Sequence, residues 1–325
     1  MKKHFKKLLL MALMAVMAVG LIACGTDKSD NESIKEEKTS VTITSLDSSK
    51  NEIELEVPYN PKRIAILDLA CLDIIDELGV GDRVVGMAST SIDYLEKYSN
   101  DASIKNLGTI KEADLEAVME CEPDIIFIGG RLSKSYDALS EIAPVVYLAT
   151  DTNEGLVNSV SKNAKTIASI FGMEDKVDSL MSDFGARIDA IKKISSGKTA
   201  LVGMTTSGSF NLLGNDGRCS LIGVEAGFNN LTAAGSTSTH GNESSFETVV
   251  QQNPDYIFVM DRDSAISTAG AKTAKEIVEN ELVKTADAYK NNHIIYLEHS
   301  NVWYTAEGGI QALDIMLTDL EKGLK

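Results

Sequence analysis

Two arginines sit at matching places in a duplicated stretch of this sequence. Asp114-Leu-Glu-Ala-Val-Met-Glu-Cys-Glu-Pro-Asp-Ile-Ile-Phe-Ile-Gly-Gly-Arg131 aligns without a gap on Ser245-Phe-Glu-Thr-Val-Val-Gln-Gln-Asn-Pro-Asp-Tyr-Ile-Phe-Val-Met-Asp-Arg262, with 7 of 18 positions identical. Each copy reads as a helix, a Pro-Asp turn, a buried strand and then the Arg. Parallel α/β sheets bind ligands beyond the carboxyl ends of their strands, so both guanidiniums fall where a ligand is held. The chain has only 6 Arg against 25 Lys, and Lys would serve for solubility. Arg is the residue for planar, bidentate recognition of anions. A small anionic ligand held between two related halves is the chemistry this pattern points to. Arg218, in the Gly-rich loop Gly214-Asn-Asp-Gly-Arg218, reads alone as a turn residue in a surface salt bridge. Beside Arg131 and Arg262 it reads as a third donor. Arg63, Arg83 and Arg187 fall at a strand start, a turn and a helix, and are read as structural.

The elements that must position these residues alternate. Val41–Leu46 and Glu52–Val57 have period two around a polar turn and form an edge hairpin. After Pro61, short apolar strands alternate with helices: strands at 63–67, 124–128 and 145–148, helices at 70–78 and 113–120. Leu156, Val160, Ala164, Ile167 and Ile170 then keep one helical face, Gly172 interrupts, and Val177 to Ile191 keeps another. That second stretch is expected as one helix of about 20 residues, spanning roughly 30 Å. The alternation resumes with strands at 200–204, 256–260 and 293–297, and a helix over 307–322 closes the chain. Repeated βα units within one sheet would also give the internal repeat, but the helical divider favours two lobes. The expected fold is α/β: two Rossmann-like lobes with mostly parallel sheets, 41–153 and 196–325, joined by a long rigid helical connection over 154–195.

The N-terminus speaks to location. Lys2, Lys3, Lys6 and Lys7 precede an apolar run from Leu8 to Gly20, too short to span a membrane comfortably and of the form of an export signal. Leu21-Ile22-Ala23-Cys24 resembles the lipobox of bacterial lipoproteins, which makes Cys24 the lipidated N-terminus of the mature protein. An uncleaved anchor is the other reading, disfavoured by this cleavage box. Residues 1–23 are thus read as signal and 24–40 as a flexible polar tether, placing the protein on the extracytoplasmic face of the cell membrane. The remaining cysteines, Cys71, Cys121 and Cys219, allow one bridge at most; Cys71 and Cys121 read as buried small side chains.

Composition removes whole classes. The formal charge is −17, and removal of the basic signal makes it more negative, so a nucleic-acid partner is not expected. Walker, GxGxxG, GxSxG and HExxH motifs are absent, so no enzyme is expected. The His residues beyond the signal, His240, His293 and His299, are too scattered for direct zinc or manganese capture. A haem or cobalamin binder of the same fold and a non-transport surface adhesin stand as alternatives. The first favours aromatic or Met-rich clefts over an Arg cluster, and the second needs no Arg at equivalent strand ends. Trp303 and Tyr304 follow a strand and precede Gly308-Gly309, and fit a cleft wall as well as a core.

Gly129-Gly-Arg131, Gly214-Asn-Asp-Gly-Arg218, Thr239-His-Gly-Asn-Glu-Ser-Ser-Phe246, Asp261-Arg-Asp263 and Val302-Trp-Tyr304 together resemble the siderophore-binding lipoproteins of bacterial iron-uptake ABC transporters, nearest the catecholate and petrobactin binders. The resemblance runs from about Val41 to the end. It implies a monomer that carries a ferric siderophore as cargo, without an intrinsic cofactor, and delivers it to a permease. It places Arg131, Arg218 and Arg262 on the anionic ferric complex, with Trp303 and Tyr304 at the ligand. It makes His240 a ligand to the siderophore's iron when coordination sites are open. Glu112 and Glu225 are taken as acids that dock on the permease.

Cys24→Ala is expected to abolish incorporation of radiolabelled palmitate and to leave unprocessed precursor. Unchanged labelling would exclude Cys24 as the anchor.

Overall fold

A computed structural model describes residues 38–152, 154–234 and 237–325. The signal, Cys24 and most of the tether lie outside them. Among the described residues no helix is long and apolar enough to cross a membrane.

The edge hairpin pairs Ser40–Leu46 with Glu52–Pro58, antiparallel, from Ser40 opposite Pro58 to Leu46 opposite Glu52. Its turn is organised by Asp47, whose carboxylate accepts from the amides of Ser49 and Asn51. Two sheets follow. The first has the spatial order Lys105–Asn106, Val84–Met87, Ile64–Ile66, Ile125–Ile128, Val145–Tyr147, with every neighbouring pair parallel. The second runs Asn242–Glu243, Ser209–Leu212, Thr199–Thr206, Tyr256–Asp261, Ile294–Tyr296, with Asn229–Asn230 also on the central strand. It is mixed, because Ser209–Leu212 turns straight back on Thr199–Thr206 and is antiparallel to both its partners. In each sheet the chain enters at the centre, builds one edge, then crosses to build the other. The switch points lie between Ile64–Ile66 and Ile125–Ile128, and between Thr199–Thr206 and Tyr256–Asp261.

The duplicated segment is the same device in both lobes. Its first residue caps the helix: Asp114 accepts from Ala117 N (3.0 Å) and Ser245 from Thr248 N (3.3 Å). Its Pro-Asp turn latches the start of the neighbouring central strand. Asp124 accepts from the amides of Lys62 and Arg63 (2.7 and 2.9 Å), and Asp255 from the amide and hydroxyl of Thr199 (2.8 and 2.9 Å). Each buried strand then ends beside its lobe's switch point, where its Arg emerges.

The connection is helical but not one long helix. Leu156–Phe171 ends at Gly172 in the left-handed conformation (φ 66°). Glu174–Leu180 and Phe184–Ser195 are separate helices, so the expected 20-residue helix is broken at 181–183. Ser182 bends back on the preceding turn through its amide and hydroxyl to Ser179 O. Arg187 then fixes the new direction, reaching Asp314, Thr318 and Glu321 on the closing helix Ile310–Gly323.

One apolar core joins the lobes. It includes Ile74 and Ile75 of helix Leu69–Glu77, Ile167 and Ile170 of Leu156–Phe171, Val202 and Phe258 of the second sheet, and Leu313 and Leu317 of the closing helix. Two carboxylates enter this junction. Asp73, 0% exposed, accepts from the amides of Ile310, Gln311 and Ala312 (2.7–2.9 Å) and from the Tyr94 hydroxyl (2.6 Å). It therefore caps the closing helix from the other lobe. Glu225, of the second lobe, accepts from Val157 N (3.0 Å) and caps Leu156–Phe171. Both helices have a glycine at the N-cap, Gly309 and Gly155, and a Cβ at either would meet the incoming carboxylate. Glu225 is thus a helix cap and not a free surface acid, which corrects the docking role expected for it.

Burial pushes the Asp73 carboxyl up to about 6 from 3.8, against the pull of the Tyr94 hydroxyl and the three amides. A carboxyl raised on folding contributes stability that is full below about pH 4 and lost as pH rises through about 6. Asp73→Asn, which cannot titrate, is expected to flatten the stability profile over that window. Asp73→Ala is expected to cost about 3 kcal/mol by denaturant unfolding at pH 7, because it orphans several buried donors. A loss under about 1 kcal/mol would show that water replaces the carboxylate there.

Candidate functional site

A cavity of about 380 Å³ opens between the lobes. Gly129 and Arg131 of the first lobe line it, with Asp216, Gly217 and Arg218 of the second and Tyr304, Thr305 and Glu307 from the segment before the closing helix. Tyr304 belongs to the helix Ser300–Thr305, and its ring is the centre of the site. The guanidinium carbons of Arg218, Arg131 and Arg262 lie 4.5, 5.5 and 5.7 Å from the ring centroid. The three arginines therefore surround one ring, with Arg131 and Arg218 lining the cavity and Arg262 beside the ring but outside that lining.

Each is aimed by a polar contact. Arg131 Nη2 donates to Tyr304 O (2.8 Å), bridging the lobes. Arg218 Nη1 donates to Thr239 O (2.8 Å). Arg262 donates from Nε to the Tyr304 hydroxyl (3.3 Å) and from Nη1 to Thr206 Oγ1 and Asp263 Oδ1 (3.2 and 3.0 Å). Asp263 is buried and also accepts from Ser207 N (2.6 Å). Burial, then the charge of Arg218, lowers the pKa of Arg131. Burial raises the Tyr304 hydroxyl, but the Arg262 hydrogen bond and the charges of Arg218, Arg262 and Lys111 outweigh it and hold the phenol below its usual value. An array of guanidiniums gathered around one aromatic ring suits an anion, and flat aromatic anions stack on guanidinium planes as well.

The other expected residues divide. His240 lies outside the cavity lining, in an exposed turn of the second lobe, and its carbonyl accepts from Asn211 Nδ2 (2.8 Å). Burial, with the charges of Arg262, Arg218 and Lys111, holds its imidazole below the usual value. Those charges place it at the rim of the same cationic field. Trp303 is not on the cleft wall. It is 0% exposed and donates from Nε1 to Asp319 (3.0 Å), so it anchors the closing helix inside the core, which corrects the expected ligand contact. Cys71, Cys121 and Cys219 are free thiols and buried.

Sequence reasoning missed Lys111, in the turn of the small hairpin formed by Gly108–Thr109 and Glu112–Ala113, whose charge acts on both Tyr304 and His240. It also missed Asp68 and Glu307 in the cavity wall. Asp68 carried a signal, since it stands at the strand-to-helix junction as the N-cap of Leu69–Glu77. Among the described residues Glu298, His299 and Asp319 are the group spaced to share a metal ion, but Lys322, Asp319 and Trp303 already engage them.

The periplasmic binding protein family model matches residues 64–300. The petrobactin-binding protein YclQ of Bacillus subtilis is 35% identical over 98% of this chain and 99% of its own length. Its crystal structure superposes with a TM-score of 0.81, covering 88% of this chain and 99% of that one. The periplasmic catecholate-siderophore binding protein VctP of Vibrio cholerae is 30% identical, with a TM-score of 0.78 over 87% of this chain and 100% of that one. The ferric-anguibactin-binding protein FatB of Vibrio anguillarum is 25% identical over 96% of each chain. The chain belongs to the periplasmic binding protein family. It is a substrate-binding protein of the kind that serves ABC transporters, and not an enzyme.

Proposed function

We propose that this protein captures an anionic ferric siderophore of catecholate type between its lobes and delivers it to an ABC permease, held to the outer face of the membrane by lipid on Cys24. The observation that carries the reading is the convergence of Arg131, Arg218 and Arg262 on the Tyr304 ring, the first two in the wall of the interlobe cavity. A ferric tris-catecholate carries about three negative charges, which three guanidiniums neutralise. Each charge-assisted hydrogen bond adds roughly 1.5–3 kcal/mol. The names of YclQ and VctP point the same way, and other relatives are named as lipoproteins. Cobalamin would leave the cationic array without a partner of matching charge, and the two propionates of haem would meet only part of it.

Titration with ferric siderophores, haem and cobalamin tests the reading. Each Arg→Ala change at 131, 218 or 262 is expected to weaken ferric catecholate binding about tenfold or more, and Arg→Lys to weaken it as well, because a point charge does not replace a planar fork. Wild-type affinity in all three Ala variants would place the site elsewhere.

His240 is read as a conditional iron ligand, with Tyr304 as the candidate second one. A hexadentate siderophore saturates ferric iron, whereas a tetradentate bis-catecholate leaves two positions that a neutral imidazole and a phenolate can fill. His240→Ala is therefore expected to impair tetradentate complexes far more than hexadentate ones in parallel affinity measurements. Equal losses for both would make His240 structural.

A further inference from the structure

The two copies of the duplicated segment part company just after their arginines. At the offset of 131 that aligns Arg131 with Arg262, Leu132 stands opposite Asp263. Both are buried, Leu132 at 1% exposure in an apolar cluster and Asp263 at 4%. The first copy shows that an apolar side chain completes this turn, so the fold itself does not call for an acid there. A buried carboxylate is expensive to desolvate unless it is paired and hydrogen-bonded. Both oxygens of Asp263 are engaged: Oδ1 accepts from Arg262 Nη1 (3.0 Å) and Oδ2 from Ser207 N (2.6 Å).

What the acid holds is the guanidinium beside it. Arg262 Nη1 also donates to Thr206 Oγ1 (3.2 Å). Ser207, next in the chain, is in the left-handed region (φ 51°). Asp263 thus fixes both the guanidinium and the turn that carries its second acceptor. With Nη1 held from two sides, Nε faces the Tyr304 hydroxyl (3.3 Å). That hydroxyl accepts from Nε, and among the described residues it donates to none. Arg131, which follows no such plan, bonds the Tyr304 carbonyl instead. The two arginines are also pushed in opposite directions: burial lowers the pKa of Arg131, whereas the Tyr304 hydrogen bond raises that of Arg262. Tyr304 lines the cavity and Arg262 does not, so Arg262 meets the cavity through the phenol.

Resting on the siderophore reading above, we propose that Asp263 is a positioning residue of the cargo site: it pins Arg262 so that Nε holds the Tyr304 hydroxyl, and thereby fixes the direction in which that hydroxyl meets the cargo. The three arginines then differ in role. Arg131 and Arg218 face the cargo from the cavity wall, and Arg262 acts on it through Tyr304.

A double-mutant cycle on the affinity for one ferric tris-catecholate probe tests this. Asp263→Leu, which installs the residue of the first copy, is expected to weaken binding about tenfold. In a Tyr304→Phe background it is expected to add nothing, because the hydroxyl it acts through is gone. A residue that only supports the fold would weaken binding in both backgrounds. Thr206→Val removes the other acceptor of Nη1 without touching a buried charge. It is expected to give a smaller loss that also vanishes in the Tyr304→Phe background, and it carries the cycle if Asp263→Leu does not fold. Losses that add to that of Tyr304→Phe, or wild-type affinity in the single variants, overturn the positioning role alone. Failure of the wild type to bind the probe overturns the siderophore reading and the positioning role with it.

Discussion

The exchange of carboxylates across the junction sets the frame for everything else. Asp73 of the first lobe caps the helix that closes the second, and Glu225 of the second lobe caps the helix that leaves the first. A helix start leaves several amides without partners, and a buried start needs an acceptor from somewhere. Here the acceptor comes from the opposite lobe, and the N-cap glycines leave room for it. The Tyr304–Glu307 stretch runs directly into the Asp73-capped helix, so this buried contact sets where the aromatic centre of the cleft stands. Arg131 then reaches from the first lobe to the backbone of that same stretch.

Gathering three guanidiniums on one ring is electrostatically unfavourable until something offsets it. The ring quadrupole, two backbone carbonyls and buried Asp263 supply part of the compensation. Burial first, and then the charge of Arg218, hold the Arg131 pKa below its usual value against the pull of Asp68, Tyr304 and Glu307. On the proposed reading an anionic cargo would relieve the repulsion, so the cleft would be arranged in advance for that charge and would need little reorganisation on binding. This is the physical link between a helix-joined pair of sheets and the anionic cargo proposed for them.

The lobes and their arginines were legible because the repeat is local. Cap, Pro-Asp latch, buried strand and Arg lie within 18 residues, and each has a distinct residue signature. The rest depended on contacts far apart in the chain. Nothing near Glu225 in the sequence shows that it meets Val157, so it read as a surface acid. Trp303 and Tyr304 stand side by side after a strand and before Gly308-Gly309, a place that fits a cleft wall as well as a core for both. On the helix Ser300–Thr305 they diverge by about 100°, and both are buried: Trp303 turns onto Asp319, and Tyr304 turns under the arginines at the floor of the cleft. The break at 181–183 escaped notice because the apolar periodicity on both sides of it is continuous enough to suggest one helix.

The crossed caps also mean that neither lobe is a self-sufficient folding unit. Severed from its neighbour, the first lobe would carry a terminal helix with an uncapped start, and Asp73 would lose its three amide partners. The second lobe would be left the same way, with Glu225 stranded. A shared apolar core adds to this dependence. The two sheets follow one plan, yet they are expected to melt as one body, with slow hydrogen exchange in one rising or falling with the other. Motion that opens the cleft is then confined to flexing within an intact junction, and cannot proceed by one half coming apart while the other waits.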